Sequence, residues 1–161
     1  MRLPAVLAAF TLLVSAAPAP AANTPAAAPA LAGHRAAYVL TVENIRSPDV
    51  VGVRGSMGYE VTDSCDGWAV RQRLEMTITN GDGQDIEMVS DYTTWEAKDG
   101  LRLRFRMKQT TETAVTSQTE GNATLRRPGA PGEARFTVPK SAKLELGAGT
   151  QFPMAHTVSI L

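Results

Sequence analysis

Cys65, within VTDSCDGWAV (61–70), is the single cysteine of a 161-residue chain. A thiol flanked by Asp63 and Asp66, in what reads as a turn, suits either half of a disulfide or a free thiol without a role. Exported proteins carry cysteines in pairs, and this chain supplies no second one. The remaining chemistry-bearing residues are sparse. His34 and His156 are the only histidines, and neither has another His, Cys or carboxylate at metal-ligand spacing. NGDGQDIEM (80–88) partly resembles a calcium-binding repeat, but it places Glu87 where a large apolar residue is required and occurs once. It reads as a hairpin loop. No nucleophile elbow, S-x-x-K or phosphate loop occurs, so catalysis, metal and cofactor find no support.

The densest charge is LRLRFRMK (101–108). Arg102, Arg104, Arg106 and Lys108 form a four-cation stripe, which Arg71 and Arg73 extend if their strands lie close. Two readings are open: a solvated face paired with Glu75, Glu87 and Asp91, and a surface turned towards an anionic partner.

These residues must be carried by strands. In 101–108 Leu101, Leu103, Phe105 and Met107 alternate with the cations, a period of two that a helix would scatter around its axis. Trp68, Val70, Gln72, Leu74, Met76 and Ile78 repeat it, against Arg71, Arg73, Glu75, Thr77 and Thr79. Weaker runs at AAYVLTVENI, VVGVRGSMGYEV, QDIEMVSDYTTW, TSQTEGNATLR, EARFTV and AKLEL bring the count to about eight. Asn80-Gly81-Asp82-Gly83, Asp99-Gly100, Pro128-Gly129 and Asp66-Gly67 supply residues that accept positive φ in tight turns. The short gaps leave no room for crossover helices, so the expected fold is all-β, an antiparallel meander. In GTQFPMAHTVSIL, Pro153 suits a first helical position and Met154, Thr157, Val158 and Leu161 fall on one face. A helix of about two turns depends on packing for its stability.

The first residues set the compartment. Met1-Arg2, the apolar run LPAVLAAFTLLVSAA and the small residues APAPAA predict a secretory signal peptide over 1–21, cleaved after Ala21. The run is too short for a membrane span, which needs about 20 apolar residues, and no later segment is apolar enough to span. Residues 22–33, ANTPAAAPALAG, read as an Ala/Pro-rich tether and 34–161 as one domain. Losing Arg2 takes the basic residues from 16 to 15 against 16 acidic ones. That balance argues against nucleic acid as a partner.

VVGVRGSMGYEVTDSCDGWAVRQRLEM, TTWEAKDGLRLRF and GTQFPMAHT together resemble the periplasmic cell-envelope-integrity protein B family of Gram-negative bacteria, long a domain of unknown function. The likeness runs from about Leu31 to the last residue. It implies a long, strongly twisted antiparallel sheet curled into a spiral or half-barrel, with a helix against it. It also implies a non-catalytic periplasmic role in cell envelope integrity, exercised through protein contacts, including with a helical-repeat protein, and compatible with peripheral association with the envelope.

Family members carry a cysteine in the D-S-C-D-G-W turn and a second near the far end of the domain, joined as a disulfide. On that pattern Cys65 is the first of the two, its partner lies in a C-terminal part absent from this chain, and 34–161 is the N-terminal part of a single β-spiral domain. A disulfide closing a loop of a hundred or more residues contributes on the order of 4 kcal/mol in the chain-entropy model. A chain truncated in this way is expected to fold marginally or aggregate, with an apolar face and a bare edge strand exposed. The competing expectation is a lipid or lipopeptide carrier resembling the outer-membrane lipoprotein chaperones. Trp68, Leu74, Met76, Leu103, Phe105 and Met107 would then line an apolar concave groove.

Overall fold

A computed structural model describes residues 31–161. The signal peptide expected over 1–21 and residues 22–30 of the tether lie outside the described residues. Eight strands follow one another as β1 (His34–Thr41), β2 (Val50–Asp63), β3 (Gly67–Asn80), β4 (Asp85–Ala97), β5 (Arg102–Thr111), β6 (Ala114–Leu125), β7 (Gly132–Val138) and β8 (Ala142–Leu146), with a helix α1 (Pro153–Ser159) after them. They form one open sheet in sequence order, every neighbour antiparallel. The expected all-β meander is what the chain adopts. The length of β2, β3 and β4, 14, 14 and 13 residues, exceeds the usual five or six and makes room for pronounced coiling.

Register fixes which side chains share a face, because residues directly opposite point the same way. Trp68 lies opposite Glu96, which lies opposite Leu103, and then Ala123 and Ala134 follow across the sheet. This row belongs to the face that α1 covers. The other parity carries Arg71 opposite Thr93 and Arg106, and Arg73 opposite Asp91 and Lys108. One face is therefore apolar and helix-bearing, the other charged.

Glycines let the backbones come close where the sheet bends. A Cβ on Gly55 would stand 2.6 Å from the Glu75 carbonyl oxygen, and one on Gly121 would collide with the Arg135 carbonyl and the Phe105 ring. Register shifts at Val50/Gly52, Gln109/Thr110 and Glu120/Gly121 add local twist.

Two buried clusters form the core on the helix-bearing face. Leu103, Ala123, Leu125, Ala134 and Phe152 make the first, and Val61, Trp68, Val70 and Met154 the second. Phe152 and Met154, two residues apart at the start of α1, belong to different clusters, so this one turn of chain ties β5–β7 to β2–β3.

Several details depart from the expectations. β1 stops at Thr41, because residues 42–49, including Pro48, form the connection to β2. In the β2–β3 turn positive φ falls on Cys65 (65°), while Gly67 opens β3. Gly83, Gly100 and Gly129 take positive φ as expected, and Glu112 (55°) turns the β5–β6 hairpin without a glycine. Leu161 lies beyond α1 and is 73% exposed, since the helix ends at Ser159 before that face is completed.

Candidate functional site

Three segments far apart in sequence meet at one end of the sheet: the β2–β3 turn, the end of β4 with the turn after it, and the start of α1. Glu96 stands at their centre. It is 1% exposed, flanked on its face by Trp68 and Leu103, and no cation pairs with it among the described residues. Its two oxygens each accept one backbone N–H of the first turn of α1, from Met154 and from Ala155, both at 2.7 Å.

The local sequence explains why a distant carboxylate is needed. The residue at the N-cap of α1 is Phe152, whose side chain cannot accept a hydrogen bond, and Pro153 next to it has no N–H to satisfy. Burial of Phe152 and Met154 carries the helix start away from water. The free N–H donors of the first turn would then be orphaned, and Glu96 answers them from β4. Burial pushes its carboxyl above the ordinary range, and the two N–H donors offset only part of that.

The β2–β3 turn is bound to the same region. Ser64 Oγ donates to the Gly67 carbonyl and accepts from Trp95 Nε1 at 3.1 Å. The Trp95 ring covers Gly67 so closely that no Cβ fits there. Lys98 Nζ reaches Asp63 at 2.8 Å and holds that carboxyl below its usual range, while the Lys98 N–H donates to the Asp66 carbonyl. The Lys98 ammonium also stands 5.0 Å from the Trp68 ring. Cys65 sits exposed at the tip, its N–H donating to the Asp63 carboxylate.

Of the apolar residues expected to line a groove, all six share the helix-bearing face, but they are divided between environments. Trp68 and Leu103 are buried against Met154 and Phe152 in separate clusters. Phe105 meets Phe136 edge-on at 5.5 Å. Leu74, Met76 and Met107 are half-buried further along the strands.

The cation stripe also divides. Arg102 and Arg104 flank the Trp95 ring at 5.8 and 5.5 Å, and Arg102 reaches Asp99 at 3.8 Å. Arg106 pairs with Glu120 of β6 at 3.0 Å. Lys108 makes no ion pair among the described residues. The pairing expected with Glu75 and Asp91 is made by Arg73 of β3, which extends the stripe, and not by the four cations of β5. Glu87 donates its N–H to Glu112 instead of pairing with the stripe. His34 Nδ1 donates to the Ala32 carbonyl, and His156 is exposed on α1.

Glu96 and Trp95 were not among the residues picked out by type or spacing. A signal existed for Glu96: in the β4 alternation it is the one acid on the parity that Thr94, Tyr92 and Met88 assign to the apolar face. Its donors, 58 and 59 residues away, left no trace in that local pattern.

The comparisons with known proteins follow the same geometry. A family model described as EipB-like matches residues 25–161. A crystal structure of a beta-barrel-like protein of domain of unknown function DUF1849 from Brucella abortus is similar at 28% identity and a TM-score of 0.72. The alignment covers 80% of this chain and 53% of that one, so the chain spans about half the length of that structure. No curated protein matches this chain. The family match takes in all eight strands, the Glu96 seat and the helix it holds, and the chain belongs to the EipB-like family.

Proposed function

We propose that this is a non-catalytic periplasmic protein that contributes to cell envelope integrity through protein–protein contacts. The observation that carries the reading is the arrangement around Glu96 in a chain of the EipB-like family. Its carboxylates and hydroxyl are engaged in positioning: Glu96 on α1, Asp63 on Lys98, Ser64 on Trp95. Such a site fixes a surface for a partner. The signal-like first residues support export, and a helical-repeat protein is the partner class the family resemblance implies. Deleting the gene and challenging the strain with detergent and a cell-wall antibiotic tests the proposal. A sensitive deletion strain, with tolerance restored by the intact gene and not by one lacking codons 2–21, is expected; a deletion strain as tolerant as its parent refutes it.

A second reading, carriage of a lipid or lipopeptide, has its own support in the half-buried row Leu74, Met76 and Met107 beyond the reach of α1. Mass spectrometry of the protein purified from the periplasm tests it: a stoichiometric co-purified lipid supports carriage, and a lipid-free protein counts against it.

A further inference from the structure

We infer that the charged face carries a binding site for a phosphate group, centred on Thr93 of β4. Thr93 lies directly between Arg71 of β3 and Arg106 of β5, with Arg73 and Lys108 one residue pair along the same strands. Arg71, Arg73, Thr93, Arg106 and Lys108, with Asp91, line a groove of about 470 Å³. Four cations thus surround one hydroxyl in the company of one carboxylate.

Commitments already made within the sheet decide which of these cations can serve a ligand. Asp91 receives Arg73 through both oxygens, at 2.8 and 2.9 Å, and Glu75 holds the same guanidinium from the other side. Glu120 receives Arg106 and also accepts from the Gln118 amide. Glu60, opposite Arg71, pairs with Arg35 at 2.7 Å instead. Among the described residues this leaves Arg71 and Lys108 without a carboxylate, diagonally across β4 from each other, Arg71 level with Thr93 and Lys108 level with Asp91, about 12 Å apart by strand spacing and rise.

Both side chains are long enough to converge over that span. A guanidinium offers a planar fork to two phosphate oxygens, and an ammonium adds a point charge to the third. Arg73 and Arg106 are neutralised by their acids, so Arg71 and Lys108 carry the attraction, and the Thr93 hydroxyl lies on the floor as a donor. The near-neutral chain adds no long-range attraction, so recognition acts at contact distance and weakens with salt. The shared chemistry is a phosphate mono- or diester, from a free anion or a lipid headgroup.

The test uses the purified protein, its Arg71→Gln/Lys108→Gln variant and a control of equal net charge, Arg54→Gln/Arg135→Gln, which removes cations paired with Asp85 and Glu133 elsewhere on the face. Calorimetric titration with inorganic phosphate reads the free anion. Flotation with phosphatidylglycerol–phosphatidylcholine vesicles, against phosphatidylcholine alone, reads the headgroup. Binding in either arm that weakens at least tenfold in the Arg71/Lys108 variant and holds within twofold in the control supports the site, and the responding arm identifies the source. All four positions are solvent-exposed, and unchanged thermal unfolding checks that both variants fold. Absence of binding in both arms overturns the inference, as does equal binding by the two variants. The result stands apart from the envelope phenotype, which is read without either ligand.

Discussion

Glu96 shows how one buried acid can be satisfied without a cation. Its carboxylate stands where a serine or aspartate at the N-cap would stand, so removing it orphans two donors that no neighbour can reach. Glu96→Ala should cost about 2–4 kcal/mol of unfolding free energy, measured by denaturant titration. Glu96→Gln, which keeps one acceptor, should cost less. Loss of amide-exchange protection in 154–158 of the alanine variant checks that the effect lies in α1. The pH dependence has a definite sign. Because burial raises this carboxyl above 4.5, the folded chain binds its proton more tightly than the unfolded one. That contribution is complete below the ordinary carboxylate range and is lost as pH rises through the raised value. The stability difference between the natural protein and Glu96→Gln should therefore shrink from pH 4 upward; a difference that grows over the same range would contradict it. The place of Glu96 on the apolar face was legible in the β4 alternation, but its donors were not, since spacing rules look for partners a few positions away.

At the scale of elements the alternation did most of the work. Leu103, Phe105 and Met107 against Arg102, Arg104, Arg106 and Lys108 placed the start of β5 to within one residue and its end three residues short, because a strand with one buried face has no other way to sort its side chains. Where packing or hydrogen bonding decides instead of alternation, the pattern was silent. The β5–β6 hairpin turns on Glu112 with no glycine, and the edge strand β1 ends earlier than its apolar run. α1 was legible from Pro153, while its seat on β4 was not. The glycines of the bends carry their own test. Gly121→Ala drives a methyl group into the Arg135 carbonyl and the Phe105 ring, and should destabilise by about 1–3 kcal/mol. Gly147→Ala, where nothing stands within 4 Å, should lie within about 0.5 kcal/mol of the natural protein. Thermal unfolding of the pair measures both.

For the molecule as a whole, β1 and β8 are the two ends of an open sheet among the described residues. β1 carries Val39, 85% exposed, and β8 carries Leu144, 54% exposed. Unpaired edges with apolar side chains template association between chains. Concentration-dependent self-association in sedimentation velocity is expected, and Val39→Lys with Leu144→Lys should reduce it; a monomer at every concentration would count against the edges. The open meander itself was readable from the short gaps between runs, since antiparallel neighbours need only a turn. The D-S-C-D-G-W turn meets T-W-E-A-K-D-G by the pairing of β3 with β4, but the seating of Q-F-P-M-A on them was not readable, because its contacts reach back 58 and 59 residues. That seating also sets a timetable. A chain made from its amino end delivers Glu96 well before Phe152 and Met154, so β4 arrives with its seat still wet. The strands behind it can pair while they wait, but the β2–β3 and β5–β7 halves of the core join only when Phe152 and Met154 drop into place, which makes their arrival the checkpoint between a loose ribbon and a joined core.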